Sequence, residues 1–507
     1  MKKTTSKLLA LALAGVLALG AFGCGEKKTD TPDPTKAAEP TKATAADPTK
    51  AADPTKAPDP TATPTPETFD FGGVTVKVFG AAWGNVDNTE EQKYVEAKAF
   101  IEKKYNIKLE KATMEGYDGY NDAEILIESI AAGDPAAHII NLNPESMVTA
   151  FSKDILFDLT DYRDELEVGK AYTDVASWKG HIYGVAYENI GDTWVLVYDR
   201  DYLKQIGMTK TPTDMFMEGK WDYESFRSYC AEMKSKLPDG VYPIGQYPFH
   251  WGVMAASANG SQLVNADGSL NLTDEGVIEA TQFYQQLEED GLAFPMYLHL
   301  DADGNIAKRD DGSYDYDLAY SLTDERIVLK RVETWQLGGI DYNYGIVFWP
   351  WGSKVTCTGD YTTLSDNYNT AGAYWGFDAI VKAAVEKTGI PGNILAKIDK
   401  EWRCLVEDNH FEYITEAYKN EQNGIFSNES PEKGDARSFR TEQDITLFDW
   451  GHTRYKSDLA WAYSSADIVD TWGVFEDIFM QYKDVRSTLQ SYQNEGTAKL
   501  KEMGIVK

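Results

Sequence analysis

Hydrophobic positions along the chain switch repeatedly between a period of two and a period near 3.6. Val74 to Phe79 alternates apolar and polar residues and predicts a strand, and the polar stretch 80–88 predicts a loop leading into a helix that begins near Thr89. A second strand is predicted over Ile107 to Met114. A helix follows near Tyr120 to Ala132, where Ala123, Leu126, Ile127, Ile130 and Ala131 share one face. Gly133-Asp134-Pro135 stops that helix, and Ile139 to Leu142 reads as a short buried strand. The pattern recurs with a strand at Val195 to Tyr198, a helix over Trp221 to Met233, and the clearest helix of all at Thr273 to Asp290. In that last segment Thr273 is the expected N-cap, Val277, Ala280, Tyr284 and Leu287 form the apolar stripe, and Gly291 ends it. Two turn signals between Asp301 and Asp317 predict a surface hairpin. Strands alternating with helices predict an α/β protein whose parallel sheets are covered on both faces.

The first 68 residues carry a different pattern. Lys2, Lys3 and Lys7 precede an apolar run from Leu8 to Phe22, too short for a permanent bilayer span, so residues 1–23 are expected to be a signal peptide. Its end, Ala21-Phe22-Gly23-Cys24, resembles the lipobox of bacterial lipoproteins, which implies Cys24 as the lipid-attachment site and an acylated mature N-terminus. Residues 24–68 repeat the theme of Asp33-Pro34-Thr35-Lys36-Ala37-Ala38 and hold nine of the nineteen prolines. Such a segment has too little to bury to offset its ordering entropy, and it predicts a disordered Pro/Thr/Lys/Ala-rich tether, partly polyproline-like. The rest of the chain is too long for one comfortable core and predicts two lobes.

Charge and composition narrow the function. A net charge of -32 argues against nucleic acid as a partner and against anionic lipid as a partner of the body. Three cysteines lie beyond Cys24, an odd number that speaks against a disulfide framework. Cys230 falls in a helical apolar row, and Cys357 and Cys404 are left as a possible pair. Asp301, Asp303 and Asn305 open like a calcium loop, but Ile306 and Gly312 stand where such a loop needs Gly and Glu. The six histidines show no zinc spacing, and nucleophile elbows, P-loops and dinucleotide fingerprints are missing. No metal, cofactor or catalytic residue is expected. Tryptophan placement does stand out: Trp83, Trp251, Trp349, Trp351, Trp375 and Trp450 lie beside expected loops rich in Asn, Asp, Glu and Gln. Flat rings with short amides and carboxylates suit the faces and hydroxyls of a neutral sugar.

Several motifs, in order, carry a resemblance. Ala131-Ala132-Gly133-Asp134-Pro135 with Ile139 to Leu142 and Ile155-Leu156-Phe157-Asp158-Leu159-Thr160 is similar to the "AAGDGPDII…GLLxxLT" signature of extracellular solute-binding proteins of family 1, the maltose-binding-protein-like receptors of ABC importers. Lys179 to Tyr187 resembles "GKxYGxPY", Leu196 to Leu203 resembles "LxYNKDLL", and Lys220 to Phe226 resembles "TWDEF". Asn259-Gly260 with Thr273 to Gly291, Tyr344 to Gly352, and Tyr374 to Ile380 match three further blocks of that family. The chain departs from the pattern at Ala136-Ala137-His138, where an acidic residue is usual, and at Phe348-Trp349, where a shorter side chain is common.

The resemblance implies an α/β, periplasmic-binding-protein-like fold, with two α/β lobes joined by a three-crossing hinge and a ligand cleft between them. Residues 69–188 and 376–447 would form the N-terminal lobe, and 189–375 and 448–507 the C-terminal lobe. The crossings are expected near Tyr187 to Thr193, Cys357 to Trp375 and Ile445 to His452. The resemblance implies ligand contacts from Trp83, Asn85, Asn143, Glu145, Asn189, Asp192, Gln246, Tyr247, Trp251, Trp335 and Trp375. It further implies a monomeric receptor, lipid-anchored on the outer face of a Gram-positive cell membrane, that hands an oligosaccharide to ABC permease subunits. A non-carbohydrate or modified-sugar ligand on the same fold is the alternative, followed by a secreted glycan-active enzyme. If Trp349 and Trp351 lie on one extended strand they share a face, and packing is the expected role of both.

Overall fold

In the computed structural model, residues 69–80, 83–166, 176–185, 193–245, 248–295, 326–372, 376–406, 439–456 and 458–507 are described. The first alternating segment becomes β1 (Val74–Phe79), with Val76 and Val78 buried. It pairs in parallel with β2 (Ile107–Lys111) on one side and β3 (Ile139–Leu142) on the other. The helix Gln92–Tyr105 links β1 to β2 and buries Ala97, Ile101 and Tyr105. The helix Asp122–Ala131 links β2 to β3 and buries Ala123 and Leu126. A small hairpin follows, β4 (Ser177–Trp178) with β5 (His181–Ile182). Lys179 and Gly180 at its tip both have positive φ, the conformation a two-residue hairpin turn needs to match the twist of its strands.

After β6 (Gly184–Val185) the chain builds a second sheet from β7 (Trp194–Asp199), β8 (Tyr242–Gly245), β9 (Ile327–Glu333) and β10 (Tyr344–Val347). It then returns to the first sheet as β11 (Phe377–Ile380). The first sheet runs β2-β1-β3-β11-β6 and the second β10-β7-β9-β8. The expected all-parallel sheets are corrected here. β11 is antiparallel to both its neighbours in the first sheet, and β7 is antiparallel to both of its neighbours in the second. The reason is topological. Each reversed strand is the one that has just arrived from the other half, so it enters its sheet from the edge that the other strands leave.

The arrivals lie side by side. Thr193 bridges Gly372 and Thr370 bridges Tyr455, with Trp194 N–H donating to Ala371 O at 2.9 Å and Thr370 N–H to Arg454 O at 3.1 Å. The third crossing expected at Ile445 to His452 is instead the helix Glu442–His452, packed on β10 and on the helix Pro212–Met217. Its buried Asp444 carboxylate accepts Arg200 Nη2 at 2.6 and 2.7 Å, and Arg440 Nη2 donates to Ile340 O at 2.6 Å. Residues 439–447 therefore belong with the second sheet. The helix Gly392–Val406, by contrast, packs on Gln92–Tyr105, β3 and β11, in the first.

Two smaller expectations change as well. The helix Glu275–Glu289 is capped by Asp274, whose side chain accepts from Gly276 N–H, and not by Thr273; its stripe Val277, Ala280, Tyr284 and Leu287 is buried as expected. β10 ends at Val347, so strand alternation does not carry through Pro350. Trp349 and Trp351 are both buried but against different neighbours, Trp251 and Tyr284 for one and Phe216 and Tyr368 for the other. Cys230, Cys357 and Cys404 are not joined by a disulfide. The hairpin expected between Asp301 and Asp317 lies outside the described residues.

Candidate functional site

The carboxyl ends of β1 and β3 open onto one edge of the first sheet, where a ligand crevice is placed in α/β folds of this kind. That edge is held tightly. Asn141 Nδ2 donates to Asp378 Oδ1 at 2.9 Å, and Asp378 is ion-paired with the buried Arg403. Gly376 sits at φ +111°, and a Cβ there would fall 2.2 Å from Leu142 O, so no other residue fits where β11 begins. Directly after β3, Asn143 N–H donates to the buried Asp122 Oδ2 at 2.8 Å. Its side-chain amide donates to Tyr117 Oη and to Gly119 O, each at 2.7 Å. Pro144–Ser146 then makes a single 3-10 turn, and Ser146 Oγ donates to Tyr120 O at 2.9 Å. These bonds gather Tyr117, Tyr120, Asn143 and Glu145 on one surface.

The electrostatics of this surface are one-sided. Burial, with a smaller push from the charge of Asp122, raises the Glu145 carboxyl to about 7. Burial also raises Asp122, and it raises the phenols of Tyr117 and Tyr120, on which the acidic groups Asp118 and Glu145 act as well. The surface is therefore rich in acceptors and aromatic edges.

Across from it stands a group of aromatic rings from the second half. The short helix Ala460–Ser465 packs on the turn Pro144–Ser146 and on the helix Met147–Ser152. Asp458, buried and raised to about 6 by that burial, accepts from Ala460 N–H at 2.9 Å and from Leu263 N–H at 2.6 Å. Trp461 on this helix meets Trp472 edge-on at 6.3 Å, and Trp472 stacks on Phe249 at 4.3 Å with 14° between the planes. His250 stands edge-on to both Trp472 and Trp194, and burial drives its imidazole well below the usual range, leaving it neutral. Trp461 and Trp472 are only partly buried, so their rings keep free surface.

The residues nominated from the sequence fall in several places. Asn143 and Glu145 lie at the edge described, and Asn85 is exposed in the turn after β1. Trp83 is a correction. It is fully buried, its Nε1 donates to Asp399 Oδ1 at 3.0 Å, and it stacks on Trp402 at 4.9 Å, so it packs the first half instead of facing a ligand. Trp251 is a second correction: it lies in the wholly buried helix Pro248–Ala258 against Tyr284, Trp349 and Phe479. Asn189, Asp192, Gln246, Tyr247, Trp375 and Cys24 lie outside the described residues, as does the side chain of Trp335. Tyr117, Tyr120, Trp461, Trp472 and Phe249 were not anticipated. The available signal for Trp472 was its place in the first turn of a helix opened by Asp470, whose side chain accepts from Gly473 N–H.

No protein-family model matches the chain, and no curated relative matches it in sequence. Solved structures do match. A galacto-N-biose/lacto-N-biose I-binding protein of an ABC transporter from Bifidobacterium longum, solved with lacto-N-biose, aligns with TM-score 0.53 at 14% identity, over 86% of this chain and 99% of that one. The sugar-binding protein MalE from Xanthomonas citri aligns with TM-score 0.52 at 16% identity, over 86% and 100%. UgpB from Mycobacterium tuberculosis, in complex with glycerophosphocholine, aligns with TM-score 0.50 at 14% identity, over 85% and 99%. At such identities the likeness establishes the fold, and the chain has the periplasmic-binding-protein-like α/β architecture.

Proposed function

We propose that this chain is an extracellular solute-binding receptor of an ABC importer that captures a saccharide between its two halves, with no chemistry of its own. The observation that carries the reading is the packing of the helix that bears Trp461, which meets Trp472, on the turn that bears Glu145, beside Tyr117, Tyr120 and Asn143, on a fold shared with sugar-binding proteins of such transporters. Aromatic faces match the CH faces of pyranose rings, and carboxylates and amides match the hydroxyls. Ligand contacts made from both halves at once would favour a closed arrangement by hinge motion. In this reading Asn85, Asn189, Asp192, Gln246, Tyr247, Trp335 and Trp375 add contacts around the same cleft. Residues 69–188 and 376–406 make the N-terminal lobe, with 193–372 and 439–507 as the C-terminal lobe. Cys24 anchors the receptor to lipid through the tether, outside a Gram-positive membrane, and the monomer delivers to permease subunits.

The test is a panel of neutral oligosaccharides of varied linkage, followed by intrinsic tryptophan fluorescence and calorimetry, with release of reducing ends monitored alongside. One-to-one binding without turnover is expected. Silence across the panel sinks the saccharide reading, and product release would point to a glycan-active enzyme. A phosphate-bearing ligand is disfavoured by the acidic edge, where an added anion would meet Asp118, Asp122 and Glu145.

A further inference from the structure

Among the described residues, the Glu145 carboxyl at the first-half edge has no cationic partner. Glu145 is mostly buried in the turn Pro144–Ser146, beneath the helix Ala460–Ser465. The hydrogen bond that acts on its carboxyl comes from its own backbone N–H, and the charge acting on it, that of Asp122, is negative. Asp122 itself is fully buried, and its Oδ2 accepts from Asn143 N–H at 2.8 Å. The donor nearest to hand, the amide of Asn143, is already committed to Tyr117 Oη and Gly119 O. Beside this carboxyl, Tyr117 and Tyr120 are each 37% exposed, unusual for large aromatics in this chain. Acidic charges bear on their hydroxyls, those of Asp118 and Glu145 on both and that of Asp122 on Tyr117.

An unpaired carboxyl in a partly desolvated site is a cost to the empty protein unless a bound group compensates it. A sugar hydroxyl can donate to it but brings no charge. A protonated amine brings three donors and a counter-charge to Glu145 and Asp122 together, and aromatic side chains nearby favour the same cation. Resting on the receptor reading above, we propose that the saccharide recognised here carries a protonated amino group, as in a glucosamine unit, seated at Glu145 between Tyr117 and Tyr120. Trp461 and Trp472, the latter backed by the buried Phe249, take the apolar faces of the sugar rings.

The test compares short glucosamine oligomers with their N-acetylated forms and with gluco-oligosaccharides of the same linkage, by calorimetry at neutral pH on the full body of the protein. The glucosamine form is expected to bind at least about tenfold tighter than either uncharged form. Glu145→Gln is expected to abolish that preference, bringing the glucosamine form within about threefold of the uncharged forms as measured on the same variant. Equal binding of all three forms, or a preference that survives Glu145→Gln, overturns the amine subsite and leaves the receptor reading standing. Failure of the glucosamine form to bind also overturns it, and the receptor reading falls with it only if the neutral panel is silent too. Circular dichroism and the melting temperature of Glu145→Gln separate a folding defect from a lost contact. A misfolded variant is replaced by Tyr120→Leu, expected to weaken the glucosamine form at least about threefold more than the uncharged forms. Equal weakening overturns the proposal.

Discussion

Glu145 ties stability to pH as well as to ligand. In the unfolded chain a glutamate titrates near ~4.3, whereas burial lifts this one to about 7 in the folded protein. Between those values the folded state holds a proton that the unfolded state has released. Stability from this group therefore rises as pH falls from about 7 toward ~4.3 and is lost as pH rises through 7. Glu145→Gln should flatten that slope, changing the difference in unfolding free energy between mildly acidic and mildly alkaline buffer by on the order of 1–3 kcal/mol relative to the parent. Denaturant titrations at a series of pH values read it directly, and an unchanged slope would refute the burial argument. Tryptophans offer a second contrast. Trp83→Phe removes the Nε1 bond to Asp399 within the core and should cost about 1–3 kcal/mol of stability with ligand affinity kept within about twofold. Trp472→Ala should weaken binding by about tenfold or more, beyond the stability it loses with its stacking on Phe249. At this scale the sequence was a partial guide. The position of Asn143 and Glu145 at the end of β3 was legible because they directly follow a recognisable strand. Trp83 and Trp251 misled because aromatic richness near a loop cannot say which way a ring points. The loop after β1 turns back at Gly80 to bury Trp83 on Trp402, a partner more than three hundred residues away in sequence.

Helix packing sets where the aromatic group stands. The buried helix Pro248–Ala258 carries Phe249 and lies against the helix Thr471–Phe479, which carries Trp472. The contact depends on Gly252: a Cβ there would lie 2.2 Å from Phe475 Cζ and 2.3 Å from Cε2. Glycine in mid-helix forfeits roughly 1 kcal/mol of propensity, so its presence here is explained by close approach and not by helix formation. Gly252→Ala should restore some propensity, yet overpacking should dominate and destabilise the protein by about 1–3 kcal/mol. Because the strain separates Phe249 from Trp472, ligand affinity should fall with it, which calorimetry on the folded fraction would reveal. A stabilised variant with unchanged affinity would show that Phe475 simply swings aside. Strong periodicity made the helices near 120–132, 221–233 and 273–290 legible to within two or three residues. The helix Pro248–Ala258 has no polar face to report its period, so the sequence left it unmarked.

At the scale of the molecule, strand direction was the feature that the sequence could not carry. β7 and β11 have the same apolar character as their neighbours, and their reversal follows only from where the chain crosses between halves. Motif order, by contrast, was enough to anticipate the architecture, because each weak match marks one strand or turn of the same frame. Where the folded body begins is a further point that packing sharpens. The folded unit begins near Pro66, and its first anchored residues are aromatic. Phe69 N–H donates to Lys104 O at 3.0 Å and Phe71 N–H to Tyr105 O at 3.2 Å. The Phe69 ring stacks between Tyr105 at 5.0 Å and Phe71 at 6.0 Å. A chain beginning at Pro66 should therefore melt at the same temperature as one that retains residues 25–65, and bind ligand equally well. A chain beginning at Gly73 loses both phenylalanines from the outer face of the helix Gln92–Tyr105 and should be less stable by about 1–3 kcal/mol. Its ligand affinity in the folded state should be unchanged, since Lys104 and Tyr105 end a helix whose C-terminus meets β2, away from the carboxyl edge of the sheet. Loss of binding on removing residues 25–65 would mean that this segment contributes to the site.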